Sequence, residues 1–531
     1  MDFRHAISFV LEAHVPFVRD FRKEDILSQS GEEGWFFETL SETLLPLLGV
    51  LDRLESDHVP FRLGLVLSPI LCNMLNDEHL QNKYLYYTDK QIEFGKQETE
   101  RTLGQEEINK LVKINYNKLL DRRIAYTERY GKNILKAFDF YRRKGKIEIL
   151  ASSATHAFLP FIGNNAESLQ AQMEVPVSGY RRHFGGTPQG FWMSALGWTP
   201  AIEQYLRAYN FTYTIVDSHG LLYGKPMPQK GCFFPVKTPS GTFLLARDFY
   251  AVQDIEQISS DEIYMDNNRD AGYELPSGFV SPFLSEEGER HKTGYRYWPR
   301  LANGGQDVIY NPQAAYAKVT EHARLFLENT IARLEEASKY MEEAPISLFA
   351  HNADSFGRFW NEGPQFIEAL FRMAEGYRDL CFVNPSEYIF KQKLSSLQVV
   401  APEFSSGGTN GYAETWLDVS NDWIYRHLVR SMERMTELAE RFPDDTGLKE
   451  RALNQAAREI LLAQSCDWPA LLYRQDSTEF ARSQAENALR NFTTIYEALG
   501  SNYISTEWLT TLERRHNFFS NINYRVFRRK R

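Results

Sequence analysis

Cysteine is scarce in this sequence, and its scarcity excludes several classes of protein. The 531 residues include only four cysteines, Cys72, Cys232, Cys381 and Cys466. They lie far apart and form no C-x-x-C pair, which argues against a disulfide scaffold and against a structural zinc site. Free, dispersed thiols are typical of a reducing compartment, so we expect a cytoplasmic protein.

Long apolar runs and an excess of positive charge are also lacking. The apolar run near the N-terminus is interrupted by Glu12 and His14, and no stretch reaches the ~18 apolar residues of a membrane span. We therefore expect no export signal and no membrane partner. Lys and Arg number 60 against 70 Asp and Glu, a net charge of −10, which disfavours nucleic acid as the main ligand. For the basic end, Arg525 to Arg531, we predict only a solvated tail.

Aromatic residues, in contrast, are plentiful. They make up 14% of the chain, within an otherwise ordinary composition of 43% hydrophobic and 24% charged residues. Most aromatic rings in proteins pack in cores, but here several lie among glycines and polar residues, a mixture that suits stacking on sugar rings. The length predicts three or four structural units at about 150 residues each.

The hydrophobic pattern predicts a β/α arrangement followed by helices alone. Strands are predicted at 6–10, 61–67, 147–151, 190–193, 212–217 and 346–350, and helical segments at 34–54, 82–143, 312–342 and 363–377. The polar stretch 247–300 is predicted to be an irregular functional loop or lid. From about residue 404 onward only helices are predicted, at 423–441, 446–463 and 478–499.

Eight short motifs then give the chain a family resemblance. In chain order they are 13–16 (AHVP), 154–160 (ATHAFLP), 190–192 (GFW), 216–220 (VDSHG), 356–364 (FGRFWNEGP), 416–418 (WLD), 422–427 (DWIYRH) and 465–469 (SCDWP). In identity, order and spacing they resemble the α-glucan branching enzymes of glycoside hydrolase family 57, over nearly the whole chain.

The resemblance implies an α/β fold of three parts. These are a (β/α)7 barrel at residues 1–185 and 240–403, a small insertion domain at 186–239 and a C-terminal all-helical domain at 404–531. It also implies retaining cleavage of an α-1,4 bond by a glutamate nucleophile and an aspartate acid/base, which requires two carboxylates about 5 to 5.5 Å apart. No cofactor is implied.

The chain departs from the family at both catalytic positions. Where the family has Leu-Pro-Glu after Gly-Phe-Trp, this chain has Met-Ser-Ala, so the nucleophile position is Ala195. Where the family has Tyr-Asp-Ala-Glu, this chain has His-Asn-Ala-Asp, so the acid/base position is Asn352. A methyl group cannot attack an anomeric carbon, and a neutral amide cannot exchange a proton near pH 7.

Other polar and aromatic residues of the implied cleft are retained. The resemblance assigns to substrate binding His14, His156, Trp192, Asp217, His219, Trp360, Trp416, Asp467 and Trp468. A single histidine is more often structural than functional, but three histidines after strand ends favour a cleft. The tryptophans are equally consistent with core or cleft wall.

Three hypotheses of function follow. The favoured one is a catalytically inactive homologue that binds an α-glucan or another oligosaccharide, or regulates a protein partner in glycan metabolism. The second is an active branching enzyme that uses relocated carboxylates such as Glu12, Asp217, Asp354 or Asp467, with Asp354 and Glu12 as the possible substitutes for the missing pair. The third is a metal-dependent hydrolase in which Glu12, His14, His156 and His219 bind a divalent ion; we rank it last and predict no metal.

Overall fold

The computed structural model describes residues 3–19, 31–281, 288, 290–300 and 308–530. The chain forms two compact units. The first comprises Met1–Leu63, Met74–Ile147 and Tyr250–Val383, and the second comprises Gly64–Asn73, Glu148–Phe249 and Asn384–Arg531.

The strands are short and buried, as expected of parallel sheets that are covered on both faces. The described part of the chain has nine: β1 His5–Ala13, β2 Leu63–Leu67, β3 Ile147–Ser152, β4 Gly190–Trp192, β5 Tyr213–Val216, β6 Val236–Lys237, β7 Phe243–Ala246, β8 Ile346–Asn352 and β9 Leu380–Phe382.

Strand β1 is the centre of the first unit. All nine of its residues are buried, and it pairs in parallel with β8 on one side and with β9 on the other. The ring of Phe9 stacks on Phe349 with centroids 4.4 Å apart and meets Phe326 and Phe356 edge-on. The buried side chains of β1 and β8 therefore build the core of this unit.

The second unit contains strands that pair mostly in parallel. Strands β3, β4, β5 and β7 pair in parallel in that order, and β6 closes the edge antiparallel to β7. Because all four parallel strands run the same way, their carboxyl ends lie at one edge of this sheet. The loops after β3, β4 and β5 begin at that edge, so the side chains that these loops carry lie there as well.

Helices cover most of the remaining chain. Those before residue 404 are Glu33–Glu38, Leu45–Ser56, Pro69–Leu75, Glu78–Arg101, Glu106–Ile124, Ile134–Arg143, Leu159–Ile162, Ala166–Phe184, Glu203–Ala208, Ser218–Leu222, Phe249–Ser259, Ala271–Glu274, Ser277–Val280, Pro312–Ser338, Gly363–Ala374 and Pro385–Lys391. A π-helical segment, Thr39–Leu44, joins the first two into one continuous helix.

The C-terminal part of the second unit is helical. Its helices are Trp423–Arg441, Leu448–Ala463, Asp467–Arg474, Thr478–Gly500 and Thr506–Arg515. The chain end is tied to them by hydrogen bonds, because the hydroxyl of Tyr524 donates to the carbonyl of Phe442 and the guanidinium of Arg458 donates to that of Phe518. No helix of the described residues is both long enough and apolar enough to cross a membrane.

The α/β prediction, the six predicted strands and the all-helical C-terminal part are confirmed. The predicted helical segment 82–143 is divided into three helices, with breaks at 102–105 and 130–133. The prediction of irregular chain from 247 was wrong at its start, because Phe249–Ser259 is a helix whose buried face includes Val252 and Ile255. Part of 247–300 lies outside the described residues, and both the lid and the domain boundaries stay predictions.

Removing the ring of Phe9 tests the core of the first unit. We expect Phe9→Ala to lower the free energy of unfolding by ~3–5 kcal/mol, because the cavity left between three phenylalanines cannot collapse fully. The measurement is the urea midpoint at unchanged slope. Phe140→Ala, at a ring that is 49% exposed, is the matched control and should change stability by less than ~1 kcal/mol. Equal effects of the two variants would contradict the assignment of Phe9 to the core.

Candidate functional site

Most of the predicted site residues stand at or just beyond the carboxyl ends of strands. His14 follows β1, and Asn352 is the last residue of β8. In the second unit His156 lies four residues beyond β3, Ala195 three beyond β4, and Asp217 directly after β5. Strand ends are where parallel α/β folds place functional side chains.

The acid/base position of the first unit has a carboxylate next to it. Glu12 and Asn352 are paired residues of the parallel strands β1 and β8, and side chains of directly paired residues point to the same face of a sheet. Asn352 is exposed, whereas Glu12 is 8% exposed. The register therefore brings together two residues that the sequence places 340 positions apart.

The carboxylate of Asp354, in contrast, is held by hydrogen bonds and an ion pair within the first unit. Its carboxylate accepts hydrogen bonds from the hydroxyls of Thr39, at 2.7 Å, and Thr43, at 2.8 Å. The Arg358 guanidinium lies 3.4 Å away, and the Asp354 backbone N–H donates to the side-chain oxygen of Asn352. With 3% of its surface exposed, this carboxylate links the segment after β8 to the helix formed by Glu33–Ser56.

A buried chain of charges continues from Asp354. The Arg358 guanidinium also donates to Glu38 at 2.9 Å, and the Lys292 ammonium lies 3.2 Å from the same carboxylate. Burial raises the pKa of Glu38, but the two cations outweigh it and leave that pKa below its ordinary value. For Asp354 burial dominates over Arg358 and the two threonines, so its pKa is raised.

Trp360 belongs to the core of the first unit. It is 1% exposed and packs against Tyr264, Phe356 and Phe366 with ring centroids 5.2 to 5.9 Å apart. No face of this indole is open for a sugar ring.

Ala195, at the predicted nucleophile position, is held in an unusual backbone conformation. Its φ of 55° lies in the left-handed region, which costs a non-glycine residue about 1 kcal/mol or more. The carbonyl of Ala195 accepts a hydrogen bond from the N–H of Gly407 at 2.7 Å, and its methyl group packs against a cluster that includes Phe158, Trp416 and Cys466. Strained backbone of this kind is concentrated at functional sites.

His156 and Asp467 are brought together in the second unit. The Nδ1 atom of His156 lies 3.2 Å from the Asp467 carboxylate and 3.4 Å from the Cys466 sulfur. The other carboxylate oxygen of Asp467 accepts from the hydroxyl of Ser465 at 2.7 Å. The His156 carbonyl accepts from the N–H of Cys466, so backbone and side-chain contacts both join the loop after β3 to the start of the helix Asp467–Arg474.

Asp217 and His219 form a second polar group in this unit. Asp217 caps the helix Ser218–Leu222 and forms an ion pair with Arg247, which follows β7. The Nε2 atom of His219 lies 2.8 Å from the carbonyl of Gly411, and since a carbonyl only accepts, Nε2 carries the proton. Gly411 has a φ of 81°, and a Cβ there would lie 2.7 Å from the imidazole, so only glycine fits.

The tryptophans of the second unit are buried. Trp192 is 3% exposed, Trp416 is 5% exposed and Trp468 is fully buried. Trp416 stacks on Phe158 with the ring planes 11° apart, and the indole N–H of Trp468 donates to the carbonyl of Leu462. These indoles therefore belong to the core or the wall of this unit, and none of them has a face open for a sugar ring.

The exposed rings of this unit were missed by the sequence analysis. Tyr412 is 49% exposed and meets the His219 ring edge-on at 5.1 Å, and Tyr223, close to His219 in sequence, is 65% exposed. Arg247 was missed as well. A signal existed for Arg247, since it follows the short apolar run Phe243–Ala246, but that run was not predicted as a strand.

Comparison with known proteins assigns the family. The family described as "Glycosyl hydrolase family 57" matches residues 8–401, and "1,4-alpha-glucan branching enzyme, C-terminal" matches residues 427–527. The chain belongs to glycoside hydrolase family 57. Within it, the 1,4-alpha-glucan branching enzyme of Thermococcus kodakarensis is 25% identical over 509 residues, which span 92% of this chain and 72% of the relative.

Solved structures of this family share the fold. The alpha-amylase AmyC of Thermotoga maritima is 31% identical, with a TM-score of 0.92 over 99% of this chain and 100% of the amylase. The branching enzyme of Pyrococcus horikoshii, at 24% identity, gives a TM-score of 0.88 over 99% of this chain and 97% of the enzyme. The predicted fold class, a family 57 (β/α)7 barrel with a C-terminal helical part, is confirmed.

Replacement of Asp354 by asparagine tests its role as a buried supporting group. Because the pKa of Asp354 is raised in the folded protein, protonation favours the fold, and wild type should gain stability relative to Asp354→Asn as the pH falls from 7 towards 4.5. The measurement is the urea midpoint of both proteins at several pH values. Asp121→Asn, at an exposed helical position, is the control and should show no such trend. A wild-type advantage that shrinks with falling pH would contradict the raised pKa.

Proposed function

We propose that this chain is a catalytically inactive member of family 57 that binds an α-glucan. The substrate class comes from its relatives, which are named as 1,4-alpha-glucan branching enzymes and an alpha-amylase. The observation that carries the inactivity is the pair of replacements, a methyl group at Ala195 and an amide at Asn352.

The surroundings of the two positions support this proposal. The Ala195 side chain ends at a methyl group, which packs against the apolar cluster of Phe158 and Trp416. Asp354 has its carboxylate occupied by two hydroxyls and faces a guanidinium, so a displaced acid is not available there without breaking a buried network. Retaining cleavage requires a nucleophile and a proton donor together, and neither matched position supplies one.

Binding of glucan is supported by groups in the second unit. The exposed face of Tyr412 stands beside the imidazole of His219, and the pair of His156 and Asp467 supplies further polar atoms. Aromatic faces with nearby polar side chains are the combination that carbohydrate rings require, since their C–H faces stack and their hydroxyls form hydrogen bonds. An inactive protein would then act by holding a glucan or by regulating a partner enzyme.

One observation favours a second candidate, an active enzyme with a relocated carboxylate. Glu12 is paired with Asn352 across β1 and β8, so its carboxylate could replace the missing acid/base. This candidate still lacks a nucleophile at position 195, and for that reason we place it second.

An activity assay separates the two candidates. We expect no appreciable branching or hydrolysis of amylose, followed by iodine staining, reducing ends and α-1,6 linkages. A residual rate commonly ~10³ to 10⁴ above water, as in enzymes stripped of catalytic residues, would still fit inactivity. The double variant Ala195→Glu/Asn352→Asp, run in parallel, tests whether the two family carboxylates restore turnover.

The opposite outcome is equally specific. Robust branching by the wild-type protein that is lost in Glu12→Gln, but kept in the control Glu375→Gln at an exposed residue of the same unit, would overturn the proposed inactivity and establish the relocated carboxylate.

Binding is tested separately from turnover. We expect Tyr412→Ala and His156→Ala each to weaken binding of maltoheptaose about tenfold, equivalent to ~1.4 kcal/mol, measured by isothermal titration calorimetry with thermal midpoints as a check on folding. Tyr503→Ala, at a tyrosine that is 75% exposed, is the matched control and should bind like wild type. Unchanged affinity in both site variants would remove these residues from the glucan site.

A further inference from the structure

A groove runs along the helix Ala166–Phe184 in the second unit. Its other wall is the chain end from Phe519 to Lys530, and we call it the C-terminal groove. It consists of three adjoining cavities of about 30, 160 and 350 Å³. The inner and middle cavities share Val175, Gly179 and His183, and the middle and outer cavities share Glu174 and Asn523.

The chemical character of the groove changes along its length. The inner cavity is lined mainly by apolar groups such as Leu150, Tyr180 and Phe184. The middle cavity adds polar side chains, among them Ser178, Arg182 and Asn521. The outer cavity is lined by four cations, Arg525, Arg528, Arg529 and Lys530, and by one acid, Glu174. This concentration of positive charge lies in a protein whose net charge is −10.

Several of these charges are already neutralised within the protein. The Glu174 carboxylate accepts from the Tyr209 hydroxyl at 2.8 Å and lies 3.2 Å from the Lys530 ammonium. The Arg525 guanidinium donates to the carbonyls of Pro443 and Asp445 and lies 3.4 Å from Glu450. These contacts fix the wall of the outer cavity. They also neutralise most of the charge of Lys530 and Arg525, so these two cations contribute little to binding a ligand.

Three further cations determine what the groove can bind. Arg529 lies 3.6 Å from Glu167 and its side chain is 73% exposed, an arrangement that is weak in water. Among the described residues, the guanidinium groups of Arg182 in the middle cavity and Arg528 in the outer cavity have no hydrogen-bond or ion-pair partner. Two unpaired guanidinium groups in adjoining cavities suit a dianion, because each can donate two parallel hydrogen bonds to a phosphoryl group.

The middle cavity indicates what the dianion is attached to. Ser178 and Asn521 offer hydrogen-bond donors and acceptors there. Burial lowers the pKa of His183, with Arg182 acting in the same direction, so its imidazole is neutral at pH 7. Even without the other two cavities, the outer cavity of about 350 Å³ is within the usual size range of small-molecule sites, ~300 to 1,000 Å³. The combination fits a phosphorylated molecule that carries a polar ring.

We propose that the C-terminal groove binds a phosphate ester of a polar ring, with Arg528 and Arg182 holding the phosphoryl group and the middle cavity holding the ring. The ester can be a sugar phosphate or a nucleotide, which share this chemistry. The site is built from residues outside the proposed glucan site, and it stands whether or not the protein binds glucan.

Calorimetric titration of the full-length protein tests the proposal with three probes: glucose 1-phosphate, ADP and inorganic phosphate. We expect saturable binding of at least one ester, weakened tenfold or more in Arg182→Gln/Arg528→Gln. The control Arg426→Gln/Arg474→Gln removes two exposed helical arginines of the same unit and the same charge, and it should bind like wild type. Which ester binds more tightly identifies the source.

A second variant tests the ring-binding part of the groove. Ser178→Phe, at an exposed helical residue, places a ring in the middle cavity and should weaken the ester tenfold or more while leaving inorganic phosphate unchanged. The proposal is overturned if neither ester binds saturably, if both double variants bind alike, or if inorganic phosphate binds as tightly as the esters. Thermal midpoints within a few degrees of wild type confirm that the variants are folded.

Discussion

The parallel pairing of β1 with β8 sets the last residues of the two strands side by side, and the chemistry of the first unit depends on this register. It places Glu12 next to Asn352. A shift by one residue would exchange the two buried faces of β1 and would separate the stacked rings of Phe9 and Phe349. The packing of the core thus determines which polar groups meet at the strand ends.

Buried charge is the second constraint on this unit. Lys292, Glu38, Arg358 and Asp354 form a chain of alternating charge beneath the acid/base position. Removing Arg358 would leave the buried carboxylate of Asp354 without its cation, which is costly. The network therefore fixes Asp354 as a supporting group. Of the two carboxylates considered as replacements for the acid/base, Glu12 is the one that lies outside this network.

In the second unit, backbone geometry has the corresponding role. The left-handed Ala195 is held by the N–H of Gly407, and the imidazole of His219 is held against Gly411. Both partners come from the segment after residue 404, about 200 residues along the chain. Glycine is required at 411 because any side chain there would collide with His219. Contacts from the segment after residue 404 thus fix both the predicted nucleophile position, Ala195, and the His219 imidazole.

Much of the fold was predictable because its signals are local. Strands such as β1, β3 and β8 are short segments rich in apolar residues, and the C-terminal helices carry apolar residues at helical spacing. Of the five strands with two to four residues, β4 and β5 were predicted and β6, β7 and β9 were missed, since so few residues give only a weak pattern. The helix Phe249–Ser259 was missed within a polar stretch because its buried face is narrow.

For the candidate site, too, some features have a local sequence signal and others do not. The sequence by itself determined the family and the strand ends that carry polar side chains, since both depend only on residue identity and order. It also predicts that both family carboxylates are replaced, at Ala195 and Asn352. The tertiary structure alone decided that Asp354 is buried among hydroxyls, that the tryptophans are covered and that Tyr412 and Tyr223 are exposed. Exposure and pairing depend on residues hundreds of positions away, and no local pattern records which of them will meet.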